Sequence, residues 1–304
     1  MTVSLDKHLR DSGIDHDLRH LIDKIAITSK YIHNAMQTGD LGMAGTSNMY
    51  GESQLALDVL SNQIFVNELE DSHYTACLAS EEMDEECKVP KEKKGPYTVV
   101  FDPLDGSSLV NANLAIGSIF GIYKGDKIIG RKGDEQVAAL IVIYGPRVTL
   151  IYTTKKGTHE FILNAVGEFI LSKEDIKVEK DARNFAPGNL RAVATEKKYM
   201  ELVQHWMNEQ YTLRYSGGMV PDINHILMKE QGIFTYPGYK EKPDGKLRLL
   251  YECAPMALIM EQAGGRATNG KKRILDIAVE ALDQRTPIFI GSENEVKKAE
   301  KMLF

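Results

Sequence analysis

Leu18, Leu21, Ile22, Ile25, Ile32 and Met36 recur at mostly three- and four-residue intervals, and that spacing gathers them on one stripe only if residues 17–36 are helical. Gly39 ends the pattern. Leu55, Val59, Leu60 and Ile64 repeat the rhythm and predict a second helix over 52–69. Between the two helices the segment GDLGMAGTSNMYG, residues 39–51, is punctuated by glycine and predicts a loop. The pattern then changes to short apolar runs. Strands are predicted at 75–80, 97–102, 117–123, 137–144 and 148–153, with a hairpin over 159–171 turning at Asn164.

After Asp181 the character shifts, and the polar, turn-rich stretch KDARNFAPGN separates two patterns. Beyond it we expect strand 191–195, helices 197–208 and 221–230, strands 232–236 and 246–252, helix 254–263, strand 286–291 and helix 293–302. The expected fold is α/β: an α+β layered sandwich of mixed sheets flanked by helices, in two fused units. The units are an N-terminal one over 1–184 and a C-terminal one over 185–304, with the boundary near 183–188.

Composition narrows the class. With 304 residues and 43% apolar positions, the chain can build an ample core as one large or two medium domains. A formal charge of −6 without a long basic run argues against a nucleic-acid partner. No apolar leader and no run of 18 apolar residues is present, so no membrane partner is expected. Cys77, Cys87 and Cys253 form neither a CxxC pair nor an even framework, and read as reduced thiols. Cytoplasm is the expected compartment, although a processed organellar protein would have the same features.

The octapeptide FDPLDGSS, residues 101–108, carries the candidate chemistry. Tyr97, Val99, Val100 and Phe101 predict a buried strand whose pairing Pro103 is expected to stop. Asp102 and Asp105 then sit at a strand end, where open α/β folds place their sites. Two carboxylates with the Leu104 carbonyl between them are hard oxygen donors suited to Mg²⁺ or Mn²⁺. Gly106, Ser107 and Ser108 follow with N–H donors for an anion and hydroxyls for a helix cap. An Asp-rich turn that merely caps a helix fits the same residues. Glu81 and Glu82 follow an apolar run, and Glu252 follows another; adjacent carboxylates repel unless a cation or proton intervenes. Asp58, among Leu57, Val59 and Leu60, is either a surface residue or one held near cations. No Ser-His-Asp arrangement stands out among the eight histidines, and His225 reads as structural.

The segments GESQLALDVLSN, SEE, FDPLDGSS, RYSGGMVPD and GKLRLLYECAPM, in this order and spacing, resemble the class I fructose-1,6-bisphosphatase family from about residue 17 onward. GTHEFIL, FAPGNLRA and YTLRYSGGMVPDINHI look closer to sedoheptulose-1,7-bisphosphatases, whereas FTYPGYKEKPDGKLRLLYECAPM resembles the fructose enzymes more. The resemblance implies the sugar-phosphatase fold and a phosphoric monoester hydrolase with two or three Mg²⁺ ions. It implies that Glu81, Asp102, Asp105, Glu252 and the Leu104 carbonyl bind metal, with Glu52 completing a third site in place of the aspartate often found there. Asp58 and Glu82 would orient and deprotonate the attacking water, and Gly106, Ser107 and Ser108 would hold the scissile phosphate. Asn189, Arg214, Tyr215, Tyr236 and Lys246 would bind the distal phosphate and sugar, with Gly218 and Met219 lining the sugar.

The same resemblance implies a homo-oligomer, dimer or tetramer, in which Arg214 reaches a neighbouring subunit's site. The turn Ala186-Pro187-Gly188-Asn189 removes an aromatic phosphate partner of the fructose enzymes and leaves Arg191 as its substitute, while Gly218 replaces their serine. Both changes follow the sedoheptulose pattern. The expected reaction is therefore sedoheptulose 1,7-bisphosphate plus water to sedoheptulose 7-phosphate plus phosphate, with fructose 1,6-bisphosphate as the alternative substrate. Pro96 and Lys124 replace a lysine and an arginine of the family's AMP site, which implies weak AMP inhibition or none. Among other classes, an aspartyl-phosphate phosphatase needs D-x-D, which FDPLD does not supply. An inositol monophosphatase shares D-P-x-D-G-[ST] but does not call for RYSGGMVPD and GKLR. A non-catalytic sugar-phosphate sensor has little reason to keep the acidic set.

Overall fold

The computed structural model describes residues 2–38 and 52–304. The predicted loop 39–51 lies outside the described residues, as do the side chains of residues 52–56, and with them the expected metal role of Glu52. In chain order the elements are α1 (Leu5–Asp11), α2 (His16–Thr38), α3 (Glu52–Glu70), β1 (Thr75–Ser80), β2 (Cys87–Lys88), β3 (Tyr97–Asp105), β4 (Ile116–Lys124), β5 (Gln136–Tyr144), β6 (Val148–Thr153), β7 (Thr158–Leu163) and β8 (Phe169–Lys173). They continue with β9 (Asn184–Pro187), α4 (Lys197–Asn208), β10 (Thr212–Leu213), α5 (Met219–Lys229), β11 (Ile233–Tyr236), α6 (Ala254–Gln262), β12 (Arg266–Thr268), β13 (Ile288–Gly291) and α7 (Glu293–Leu303).

Strands β1 to β8 form one mixed sheet in the order β2-β1-β3-β4-β5-β6-β7-β8, in which only β1 and β3 run parallel. A second mixed sheet has the order β10-β9-β11-β13-β12. The central strands of the large sheet are buried along almost their whole length and mostly apolar because both faces are covered. Val99, Phe101, Phe120 and Leu140 join Leu21, Ile25 and Phe65 of α2 and α3 in one core. Val100, Ile119 and Ile141 turn to the other face and join Val220, Ile223, Met256 and Met260 of α5 and α6. Every residue of α6 from Ala254 to Met260 is buried, because this helix also packs against β12 and β13 of the second sheet. The outer face of that sheet is closed by α4 and α7 around Trp206, Phe185 and Phe289. The result is five layers: helices, sheet, helices, sheet, helices.

Three expectations need correction. Pro103 does not end the pairing: β3 runs on to Asp105 through a register shift between Asp102 and Asp105, and Asp105 still pairs with Gly117 of β4. At a bulge the missing N–H of proline costs no ladder bond, and the Pro103 carbonyl is taken by the Ser118 hydroxyl at 2.7 Å. The expected strand 191–195 is instead a 3₁₀ turn over Leu190–Ala194, closed by Ala192 N–H to the Asn189 carbonyl at 3.1 Å. The expected strand 246–252 pairs only at Arg248 with Arg285, then winds into a π turn over Leu249–Cys253. That turn is drawn in by the Glu252 carboxylate, which accepts the Arg248 N–H at 2.5 Å.

Candidate active site

The bulge in β3 turns Asp102 and Asp105 toward the end of β1, where Glu81 and Glu82 follow Ser80, and toward the π turn that carries Glu252. Glu81, Asp102 and Glu252 each offer a carboxylate oxygen, and these atoms all lie within 4.8 Å of one another. Asp102 and Glu252 are buried, each 5% exposed, so little water screens their repulsion. Burial first, and then the charge of Glu81, hold both carboxyls well above the usual range. Asp105 is pushed up to about 6 by burial, against the opposing effect of the Val220 N–H, which donates to its Oδ2 at 2.7 Å. Asp102 Oδ1 accepts the Leu104 N–H at 2.9 Å, which fixes the carboxylate.

Arg248 and Lys246 bring positive charge to this group. The Arg248 guanidinium lies 3.5 Å from Glu81, and the charge of Lys246 acts on both Asp105 and Glu252. A donor set of hard, clustered, undercompensated oxygens fits a divalent cation such as Mg²⁺ or Mn²⁺.

A cavity of about 420 Å³ opens onto these carboxylates. Its walls include Glu81, Glu82, Asp102, Leu104, Asp105 and Glu252, then Gly106, Ser107 and Ser108, and also Tyr215, Gly218, Met219, Tyr236 and Lys246. Gly106 adopts φ +80°, which lets the chain turn sharply from the end of β3 into a 3₁₀ turn over Ser107–Ala112. The N-cap of that turn is Gly106, which has no side chain to cap it. Ser107 instead hydrogen-bonds Asp58 on α3. Asp58 is pushed up to about 7 by burial, with Glu82 and Glu81 adding to the rise, and its Oδ1 has no hydrogen-bond partner. Glu82 is also raised, by desolvation first and by Glu81 second.

Three expected substrate residues lie outside this cavity wall. Asn189 is buried, and its Nδ2 donates to the Pro237 carbonyl at 3.2 Å. Arg191 is exposed, although its charge acts on Tyr236. Arg214 is exposed on a separate groove with Ala186, Asp222 and His225. Arg248 and Arg285 were missed in the sequence. The alternation Lys246-Leu247-Arg248 is a signal for the first, whereas nothing near Arg285 marks it; Arg285 lines the cavity and donates to the Lys246 carbonyl. No helix among the described residues is long and apolar enough to cross a membrane.

Comparison with known proteins agrees across the whole chain. Sequence profiles of "Fructose-1-6-bisphosphatase, N-terminal domain" and "Fructose-1-6-bisphosphatase, C-terminal domain" match residues 2–174 and 178–304. "Fructose-1,6-bisphosphatase class 1" of Geobacter sulfurreducens is 52% identical over 301 residues, spanning 98% of this chain and 94% of that one. "Sedoheptulose-1,7-bisphosphatase, chloroplastic" of Spinacia oleracea is 41% identical over 303 residues, 99% of this chain and 78% of that one. The crystal structure of Leishmania major fructose-1,6-bisphosphatase in holo form superposes with a TM-score of 0.91 at 34% identity, covering 99% of both chains.

Proposed function

Since the chain belongs to the fructose-1,6-bisphosphatase family, metal-dependent phosphoric monoester hydrolases of sugar bisphosphates, we propose that fructose 1,6-bisphosphate is its preferred substrate, cleaved at the 1-phosphate. This reverses the order expected from the sequence, which put sedoheptulose 1,7-bisphosphate first. The observation that carries the reversal is the identity gap: 52% to a fructose enzyme against 41% to a sedoheptulose enzyme over nearly the same residues. The fructose-type residues Tyr236 and Lys246 in the cavity wall support it. Sedoheptulose 1,7-bisphosphate is a second, slower substrate, because one altered pocket contact discriminates by only about 1–3 kcal/mol.

Glu81, Asp102, Asp105, Glu252 and the Leu104 carbonyl would hold Mg²⁺ in this reading. Bound there, the cations supply positive charge to the phosphate oxygens and acidify the attacking water. The protein's own residues do the rest. Gly106, Ser107 and Ser108 orient the scissile phosphate at the end of β3. Asp58, raised to about 7, titrates near neutrality, where a general base is most effective, and with Glu82 it orients the water and takes its proton. Lys246, Tyr236 and Tyr215 hold the sugar and distal phosphate, and Arg191 approaches them through Tyr236. Arg214, exposed and outside the cavity, would serve a neighbouring subunit in a homo-oligomer.

Competition between the two bisphosphates at equal concentration, with added Mg²⁺, tests the assignment. A higher kcat/KM for fructose 1,6-bisphosphate is expected. A higher value for the sedoheptulose substrate reverses the order, and release of phosphate from neither removes the assignment.

A further inference from the structure

A second and larger cavity, of about 650 Å³, lies away from the carboxylates. Four lysines reach it: Lys197 and Lys198 from the first turn of α4, Lys240 from the segment after β11, and Lys271 after β12. Among the described residues none of the four is paired with a carboxylate. Lys198 donates to the Leu303 carbonyl at 3.2 Å, and the Lys271 ammonium sits 5.6 Å from the Phe304 ring centroid. Lys197 and Lys240 have no ionic or hydrogen-bonded side-chain partner among the described residues. Two acids, Glu196 and Asp244, share the lining, so the cations are in excess. Flat and rigid walls come from Tyr239, Phe289 and three prolines. Lysines in excess over carboxylates around an apolar-walled cavity attract a small anion with an organic body, and an ammonium is a point-charge partner for phosphate.

This cavity touches the distal half of the substrate site through one short segment. Residues 237–245 leave β11 directly after Tyr236 and end directly before Lys246, and both of those side chains line the acidic cavity. The segment is closed on itself. Tyr239 N–H donates to the Lys242 carbonyl at 3.1 Å, and Lys242 N–H returns to the Tyr239 carbonyl at 2.8 Å. A Cβ at Gly238 would meet the Pro243 carbonyl at 2.0 Å, so the two limbs are in direct contact. Pro237, Gly238, Tyr239, Lys240, Pro243 and Asp244 of this segment line the lysine cavity. A ligand that fixes them fixes the backbone at both ends.

We propose that the lysine cavity binds a small phosphate monoester, and that its occupancy pre-organises Tyr236 and Lys246 and so tightens the hold on the distal phosphate. The coupling half rests on the reading above, in which those two residues hold that phosphate. By linkage, substrate and effector then raise each other's affinity.

Calorimetric titration of glycerol phosphate, sugar monophosphates and nucleoside monophosphates tests the site in three proteins: the unmodified chain, Lys197→Glu/Lys240→Glu, and Lys246→Ala. At least one ester should bind the unmodified chain and Lys246→Ala alike, and bind the double variant about tenfold or more weakly, with Lys197→Gln/Lys240→Gln between. The same ester should lower the substrate KM about fivefold in the unmodified chain, within the usual range of allosteric coupling. It should leave kcat and the double variant's KM unchanged. Binding abolished by Lys246→Ala and untouched by the lysine reversals places the ester in the acidic cavity and overturns the proposal. No binding by any ester at 10 mM also overturns it, and binding without a change in KM overturns the coupling. The calorimetric arm needs no catalysis, so inactivity toward sugar bisphosphates would sink the functional assignment without touching the site.

Discussion

The Val220 N–H donates to Asp105 Oδ2 at 2.7 Å, so the first turn of α5 grips the carboxylate delivered by the last residue of β3. Asp105 pairs in the sheet with Gly117, and a Cβ there would meet the Val142 carbonyl at 2.3 Å and Val220 Cγ1 at 2.4 Å. The bare glycine is what lets the helix come this close. One side-chain position thus joins a packing requirement to the electrostatics of the acidic cavity.

Gly117→Ala should therefore cost about 1–3 kcal/mol by overpacking and lower activity as α5 withdraws from Asp105. Thermal melts and the Mg²⁺ concentration for half-activation check both effects. An unchanged melt would mean that the contact yields without cost.

Asp102→Asn should lower turnover by roughly 10²–10³-fold or more, the loss associated with one electrostatic stabiliser. The same change removes one charge from three mutually repelling carboxylates, so the metal-free variant should melt higher than the unmodified protein. Added Mg²⁺ should raise the melting temperature of the unmodified protein more than that of the variant. Normal Mg²⁺-dependent turnover in the folded variant would exclude the metal role.

Asp23 on α2 is pushed up to about 6, by burial first and by the charge of Asp6 second. Between about pH 4, where the unfolded chain's carboxyl ionises, and pH 6, the folded form keeps a proton that the unfolded form has lost. Its contribution to stability falls as pH rises through that window. Asp23→Asn should therefore stabilise the protein above about pH 6, with the gain vanishing below about pH 4. Paired melts at the two ends of the window measure it, and an equal shift at both pH values would contradict the assigned cause.

Activity should not depend on thiol reduction. Burial pushes the Cys77 thiol up to about 12 and the Cys253 and Cys87 thiols above their usual range, so little reactive thiolate is present near neutrality. Residues 39–51 contain no cysteine. Assays with and without dithiothreitol should agree, and strong stimulation would refute the expectation.

The acidic cavity was legible because its carboxylates follow apolar runs, and burial on both faces made those runs continuous. What escaped the sequence was set by contacts distant in the chain or by single hydrogen bonds. Residues 246–252 have strand-like composition, but one carboxylate-to-backbone bond within the segment winds them into a turn. Pro103 reads as a stop, yet a bulge and the Ser118 hydroxyl absorb it. The short strand β9 was lost behind Pro187 and the glycine after it, in a stretch that reads as a turn until β11 lies beside it. Arg285 comes from a part of the chain with no motif, and only the fold places it at the cavity.

Because α6 is buried from Ala254 to Met260 and lies between the two sheets, both sheets depend on the same helix for cover. A fragment carrying the first sheet alone would leave the inner face of β5 open to water, and one carrying the second would expose the apolar turns of the helix from Ala254 to Met260. The boundary that composition draws near residue 184 separates two patterns of sequence, and α6 packs across it against β5 on one side and β12 and β13 on the other. Grafting either half onto another scaffold would require rebuilding this layer first.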